Sequence, residues 1–204
     1  KSPAGLSYKL GWGAFELGSD VPKFNGMDSS KISQYLKELS NYFGEIINLG
    51  IKSGGYMVII KRCFPDKISG NHKLITNVNI GEREPLHCTG IGKLFLSDMS
   101  TPEAVDVFKS QMDKNVTVHS IKDENRLVKE LEEIRKNGYA VEDRESADDV
   151  FCIAVPLKDY TEKIIAGISV SVPAGRITGE KVKEAAEKMI ETAAVISKSM
   201  GYNR

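Results

Sequence analysis

The sequence predicts an α+β domain with a mainly antiparallel sheet flanked by helices. Two β-rich stretches, residues 150–157 and 164–172, are joined by the polar turn Asp159-Tyr160-Thr161-Glu162, which is the pattern of an antiparallel hairpin. The helical periods come in blocks before and after the strands, without the regular β-α alternation of a doubly wound fold. The 204 residues are 41% hydrophobic and 27% charged, enough apolar material for one well-cored domain and too little length for two full ones.

Taken in order, residues 1–20 read as a short β appendage. Leu6, Tyr8 and Leu10 alternate with polar neighbours, and Gly11, Gly13 and Gly18 interrupt any longer strand. Residues 21–27 read as a linker. Asp28, Ser29 and Ser30 are N-cap candidates for a helix running to about residue 48, with Ile32, Leu36, Leu39, Phe43 and Ile46 on one face. Gly50, Gly54 and Gly55 end it, and strands follow at 56–61 and around 73–79. Residues 88–97 read as a helix, and Thr101-Pro102 opens another by an N-cap followed by proline. Asp123 caps a helix carrying Leu127, Leu131 and Ile134, with Gly138 as its terminator. After the hairpin, Thr178 caps a last helix with Val182, Ala185, Met189, Ala193 and Ile196 on its apolar face.

The charges exclude some functions. Lys and Arg number 28 and Asp and Glu number 28, so the formal net charge is zero, which counts against a general nucleic-acid binder. No apolar run approaches the ~18 residues of a membrane span. Cys63, Cys88 and Cys152 are odd in number and form no CxxC pair, which suits a reducing, cytoplasmic location. The cysteines and three histidines lack zinc-ligand spacing, so no metal site is expected. Lys1 in place of Met points to a fragment.

The hairpin also points to a site. A turn centred between Tyr160 and Thr161 sets Cys152 opposite Ser169 and Val150 opposite Ser171. Ile164, Ala166, Ile168 and Val170 then form a core face, while Gly167, Ser169 and Ser171 share the other with Cys152 and Ala154. A solvent-facing strand is the plain alternative, but a wet face usually carries longer polar side chains. Small hydroxylated residues leave room for a cavity. A second candidate is Leu86-His87-Cys88-Thr89-Gly90-Ile91-Gly92-Lys93, where glycines at a helix start let backbone N–H groups approach an anion. It is not a P-loop, because the Lys-Ser/Thr pair is missing. Close helix packing explains the same glycines. His87 and Cys88 are adjacent and so point in different directions, which argues against a catalytic dyad. The acidic stretch Glu142, Asp143, Glu145, Asp148 and Asp149 reads as a solvated loop, one of whose carboxylates can reach the cavity.

These residues resemble the effector-binding domain of IclR-type bacterial transcriptional regulators. The resemblance rests on Gly81, on the run from Pro85 to Lys93, on Ile134-Arg135-Lys136-Asn137-Gly138-Tyr139-Ala140, on Cys152-Ile153-Ala154-Val155-Pro156, and on Ile168-Ser169-Val170-Ser171 with Pro173. It implies a GAF-like fold, with residues 21–204 as the effector-binding domain and 1–20 as the remnant of a winged helix-turn-helix wing and linker. It implies a pocket formed by Gly90, Ile91, Val150, Cys152, Ser169 and Ser171, with Glu142 or Asp143 as the acidic member. Asp148-Asp149 stands where relatives often carry Gly, and Val172 where they often carry Gly in Ser-Gly-Pro.

The expected function is sensing of a small organic acid by a homodimer or tetramer, without enzymatic activity or cofactor. DNA would be met only through an N-terminal domain that this chain lacks, so no specific operator binding is expected of it. The alternatives are a GAF-like enzyme using Cys88 or Cys152 as a thiolate, and an oligomerisation module with no ligand.

Overall fold

The first predicted helix forms, but it stops earlier than its apolar period suggests. In the computed structural model, which describes residues 11–14, 16–18, 30–67, 79–114, 117–176 and 178–202, helix α1 spans Ser30–Phe43 and buries Ile32, Leu36 and Leu39. Gly44 follows at φ 65°, a left-handed conformation that glycine adopts without a Cβ penalty, and strand β1 (Ile46–Ser53) begins two residues later. The step from Phe43 to Ile46 fits a helical period by coincidence. Consecutive burial from Ile46 to Gly50 instead requires a strand covered on both faces, so the expected helix to residue 48 is corrected.

Strand β2 (Tyr56–Cys63) returns through Gly54 and Gly55, both at positive φ, and β3 (Arg83–Glu84) adds a short edge. The strand expected around 73–79 falls, but for Asn79, outside the described residues, as does the Leu6–Tyr8–Leu10 alternation. Residues 12–14 and 16–18 are helical, not extended. A short 3-10 turn, Leu86–Cys88, leads into helix α2 (Gly90–Ser97).

Helix α3 (Thr101–Lys109) takes Ser100, not Thr101, as its N-cap, and the Glu103 carboxylate accepts from the Ser100 backbone N–H at 3.0 Å. Helix α4 (Glu124–Asn137) is capped by Asp123, whose carboxylate accepts from the Arg126 N–H at 2.8 Å, and ends at Gly138 with φ 77°. Strands β4 (Ala140–Asp143), β5 (Val150–Lys158) and β6 (Ile164–Pro173) precede the last helix, α5 (Glu180–Ser199), whose N-cap is Gly179, one residue past Thr178.

The sheet order is β3-β2-β1-β6-β5-β4, antiparallel at every pairing. The β5–β6 register differs from the expected one: Cys152 pairs with Ser171, Ala154 with Ser169, and Val150 with Pro173. An irregularity at Leu157/Lys158 and a turn containing Glu162 at φ 64° move the hairpin centre towards β6. The slip is two residues, an even number, so every side chain keeps its face.

Helices α1 and α5 cover one face, over Ile47, Leu49, Ile153, Val155, Ile168 and Val170. Helices α2, α3 and α4 pack on part of the other, around Met57, Ile59, Leu94, Phe95 and Ala154. The sheet takes up most of the apolar stripe of α1 and α5; Tyr42, Ile190 and Val195 remain exposed. No described helix is long and apolar enough to cross a membrane.

Candidate functional site

The second sheet face is only partly covered, and the uncovered part is a cavity of about 360 Å³. It falls within the ~300–1,000 Å³ range of small-molecule sites. Strand alternation supplies most of its floor, Asn48 from β1, Cys152 from β5, and Ser169 and Ser171 from β6, while an irregularity in the β1–β2 pairing at Leu49/Gly50 brings Arg62 of β2 onto the same face as Met57 and Ile59. Gly90 and Ile91 at the start of α2 form one wall, and Val150 and Glu142 another.

Helix α2 reaches the sheet closely because its glycines permit it. A Cβ on Gly90 would sit 3.1 Å from the Ala154 Cβ, and one on Gly167 only 2.9 Å from Ile91. Thr89 caps the helix, its hydroxyl accepting from the Gly92 N–H at 3.0 Å, and the first backbone bond inside the helix runs from Lys93 N–H to the Thr89 carbonyl. The N–H groups of Gly90 and Ile91 therefore have no acceptor within the helix.

A continuous hydrogen-bonded row crosses the floor. The Arg62 Nε–H donates to Asn48 Oδ1 at 3.0 Å, and Asn48 Nδ2 donates to the Ser171 hydroxyl at 3.0 Å. The Ser171 hydroxyl lies 3.2 Å from the Cys152 sulfur, and the Cys152 thiol in turn meets Glu142. Glu142 accepts from the Ser146 hydroxyl and from its backbone N–H at 3.1 Å. Burial is the main force on the Glu142 carboxyl and raises its pKa, opposed by the Ser146 and Cys152 hydrogen bonds and by Lys93.

Asp143 is not part of this lining. As the next residue on β4 it points to the opposite face, where it stands about half exposed, paired with Arg144 at 2.8 Å. The Arg144 guanidinium holds its carboxyl below the usual carboxylate range. Of the two acidic candidates, Glu142 is the one at the cavity.

Behind the cavity wall, Lys93 is fully buried. Its Nζ lies 2.7 and 3.0 Å from the two Glu145 oxygens and 2.8 Å from Glu130. This ion cluster ties α2 and α4 to the loop after β4, whose Ser146 and Ala147 line the cavity. Burial alone would lower the Lys93 pKa, but the charges of Glu145 and Glu130 outweigh it and raise it. Burial raises Glu145 to about 7 despite Lys93.

The cysteines are not arranged as nucleophiles. Burial drives the Cys152 thiol well above its ordinary value, and neighbouring Glu142 pushes it further in the same direction. Cys88 is wholly buried. Among the described residues no group of three or more His, Cys, Asp or Glu is placed to hold a metal ion. Iodoacetamide at neutral pH should therefore alkylate Cys88 and Cys152 far more slowly than free glutathione, as followed by peptide mass spectrometry. Fast, stoichiometric alkylation of either would contradict this.

The family model for the C-terminal domain of the bacterial transcriptional regulator IclR matches residues 29–198. The chain belongs to the IclR family. It is 32% identical to the HTH-type transcriptional regulator KdgR of Dickeya chrysanthemi, a match covering 96% of this chain and 62% of that protein. It is thus similar to a protein of which it spans less than two thirds. Against KdgR of Escherichia coli the identity is 31%, over 96% of this chain and 72% of that one. The crystal structure of Thermotoga maritima IclR superposes with a TM-score of 0.80 at 28% identity, covering 96% of this chain and 76% of that chain. These IclR-family neighbours share the α+β, GAF-like fold, a sheet with helices on both faces.

In this IclR-family chain, sequence reasoning found Gly90, Ile91, Glu142, Val150, Cys152, Ser169 and Ser171, all of which line the cavity, and missed Asn48 and Arg62. Asn48 was hidden by its assignment to a helix. A polar residue within the apolar run from Ile46 to Ile51 is the signal that would have exposed it. Arg62 follows Lys61 near the end of β2 and carried no such mark.

Proposed function

We propose that this domain senses a small hydroxylated monocarboxylic acid held over the sheet face bearing Cys152, Ser169 and Ser171. The observation that carries the reading is the meeting of two kinds of group in one cavity. The α2 start offers the N–H groups of Gly90 and Ile91 to a carboxylate, and the serines offer hydroxyls beside them. Such donors accommodate an anion without burying a countercharge. Glu142 already accepts from Ser146, and its carboxyl disfavours a plain anion beside it, whereas a ligand hydroxyl can donate to it. Asp143 takes no part.

The domain acts as a regulator, not an enzyme, and needs no cofactor. The acid binds one arrangement of a homodimer or tetramer more tightly, and so shifts the population of assemblies whose N-terminal winged domains meet the operator. The exposed Tyr42, Ile190 and Val195 are consistent with self-association. The protein works in the cytoplasm, where such acids and DNA are both present.

Thermal unfolding with D-glycerate, L-lactate, pyruvate and D-gluconate tests this. At a hundred times its Kd a ligand adds about 2.7 kcal/mol of stability, which raises Tm by several degrees. At least one hydroxy acid should do so while its uncharged amide does not. No shift with any of the four, or equal shifts with acid and amide, would overturn the reading.

A further inference from the structure

The wall behind the cavity carries more negative charge than positive. Lys93 is fully buried, and two carboxylates of 2% and 3% exposure, Glu142 and Glu145, draw on its one ammonium. Glu145 holds it with both oxygens, at 2.7 and 3.0 Å, and its charge also acts on Glu142 at the cavity. Glu130, the third acid on Lys93, is less buried and has Arg126 at 3.3 Å as a cation of its own.

The surrounding groups do not make up the difference. Glu84 of β3 and Asp149 add negative charge on the cavity side, and the Arg62 charge acts on Glu82. Strand β5 contributes the Cys152 thiol, held neutral by burial. Arg144 and His119 act on Asp143, on the other face of β4. With Glu142 and Glu145 both ionised, one buried negative charge is left uncompensated, which is costly. The loop cannot simply swing it out. The Ser120 hydroxyl donates to the Glu145 carbonyl at 2.7 Å, the Thr117 hydroxyl to the Arg144 carbonyl at 2.6 Å, and the Ser146 N–H to Glu142 at 3.1 Å.

A ligand carboxylate at the Gly90 and Ile91 N–H groups adds a further negative charge on the Glu142 side. Like charges held close favour protonation of one carboxyl. Glu145 is the group poised for it, since burial already raises it to about 7. A neutral Glu145 still accepts from Lys93 through one oxygen, and the Lys93 charge is then left to offset Glu142. Glu142 remains an acceptor for a ligand hydroxyl.

Resting on the acid-sensing role above, we propose that Glu145 takes up one proton from solvent when the acid binds, so that the domain reads the acid and pH together. The proton bonds to a Glu145 carboxylate oxygen, Lys93 keeps its charge, and no bond to the acid is made or broken.

Calorimetry on the 204-residue chain with D-glycerate, L-lactate, pyruvate and D-gluconate, all ionised at both pH 6 and pH 8, tests this. At pH 8 it is run in phosphate and in Tris, whose ionisation enthalpies differ, so the proton count is read directly. An acid that binds should take up about half a proton or more at pH 8 and bind about fivefold or more weakly there than at pH 6. Glu145→Gln, its folding checked by thermal unfolding, should take up none and bind at pH 8 within about twofold of the unaltered protein at pH 6. Damage to the fold would weaken binding instead. His119→Asn should keep both the uptake and the pH dependence. Infrared difference spectra of the unaltered protein should gain a protonated-carboxyl band on binding. If an acid binds with no proton uptake and no such band, or if the uptake survives Glu145→Gln or is lost in His119→Asn, the coupling is wrong and the sensing role stands. If none of the four acids binds at either pH, both fall.

Discussion

Replacing Lys93 with Met should lower the unfolding free energy by about 3–5 kcal/mol, the cost of leaving buried charge uncompensated. Glu145 is 3% exposed and faces Lys93, so without the ammonium it must take up a proton or leave its site. Its loop would then release Ser146 from Glu142, so cavity geometry should change together with stability. Adding Glu145→Gln to Lys93→Met should recover part of the loss in a urea titration, because the partner charge is removed as well. A single-variant loss below about 1 kcal/mol would mean that the cluster is not a strut. The pH dependence follows from the same residues. The Glu145 pKa is raised to about 7 in the fold, above its ordinary value of 4.5, so between those limits the native state binds more protons than the unfolded chain. Its contribution to stability therefore falls as pH rises from about 4.5 to 7, by about 3 kcal/mol at most. Lys93, with its pKa raised, contributes stability below its ordinary value of 10.5 that is lost only as pH climbs through the higher folded value. Relative to Glu145→Gln, the unaltered protein should lose stability across pH 5 to 7, and a flat difference would contradict the assignment.

Gly92→Ala should be the second large effect. A Cβ there would lie 2.2 Å from the Leu86 carbonyl oxygen and 2.5 Å from the Thr89 hydroxyl. Both obstacles belong to the turn that sets the α2 start, and the backbone oxygen cannot rotate aside. The expected loss is about 3 kcal/mol or more, at the upper end of overpacking. Gly138→Ala is the informative control. Gly138 sits at φ 77°, and a Cβ added to it would meet nothing within 4 Å, so only the left-handed backbone penalty of about 1–2 kcal/mol applies. The two variants should also separate in function. Gly92→Ala displaces the Gly90 and Ile91 N–H groups and should abolish acid binding, whereas Gly138→Ala should leave it unchanged. Equal destabilisation in a urea titration would mean that the close approach at Gly92 is not what fixes the turn.

Local chemistry explains which parts of this arrangement were legible in advance. The Asp123 cap, the Gly138 stop and the inward Leu127, Leu131 and Ile134 depend on short-range rules, and α4 follows them. The hairpin faces were readable because alternation survives an even slip, although the pairing of Cys152 with Ser171 was not. The turn around Glu162 sets that register, and its asymmetry has no simple sequence mark. The choice between Glu142 and Asp143 depended on where β4 begins, since adjacent strand residues face opposite ways. Arg62 and Asn48 meet the serines only through the β2–β1–β6 order, and strand order is a long-range property. The Lys93–Glu145 pair likewise joins residues 52 apart in the chain.

Calorimetry with Ser169→Val and Ser171→Val measures the central claim most directly, using whichever hydroxy acid shifts the unfolding temperature most. Valine puts methyl groups in place of the hydroxyl and removes one hydrogen-bonding group in each variant, while Asn48 and Cys152 lose a partner only in Ser171→Val. If the acid lies on this face, each substitution should weaken binding by about 1–3 kcal/mol, because a ligand group is left unpaired. Unchanged affinity in both variants, with their unfolding curves intact, would place the acid elsewhere and contradict the account.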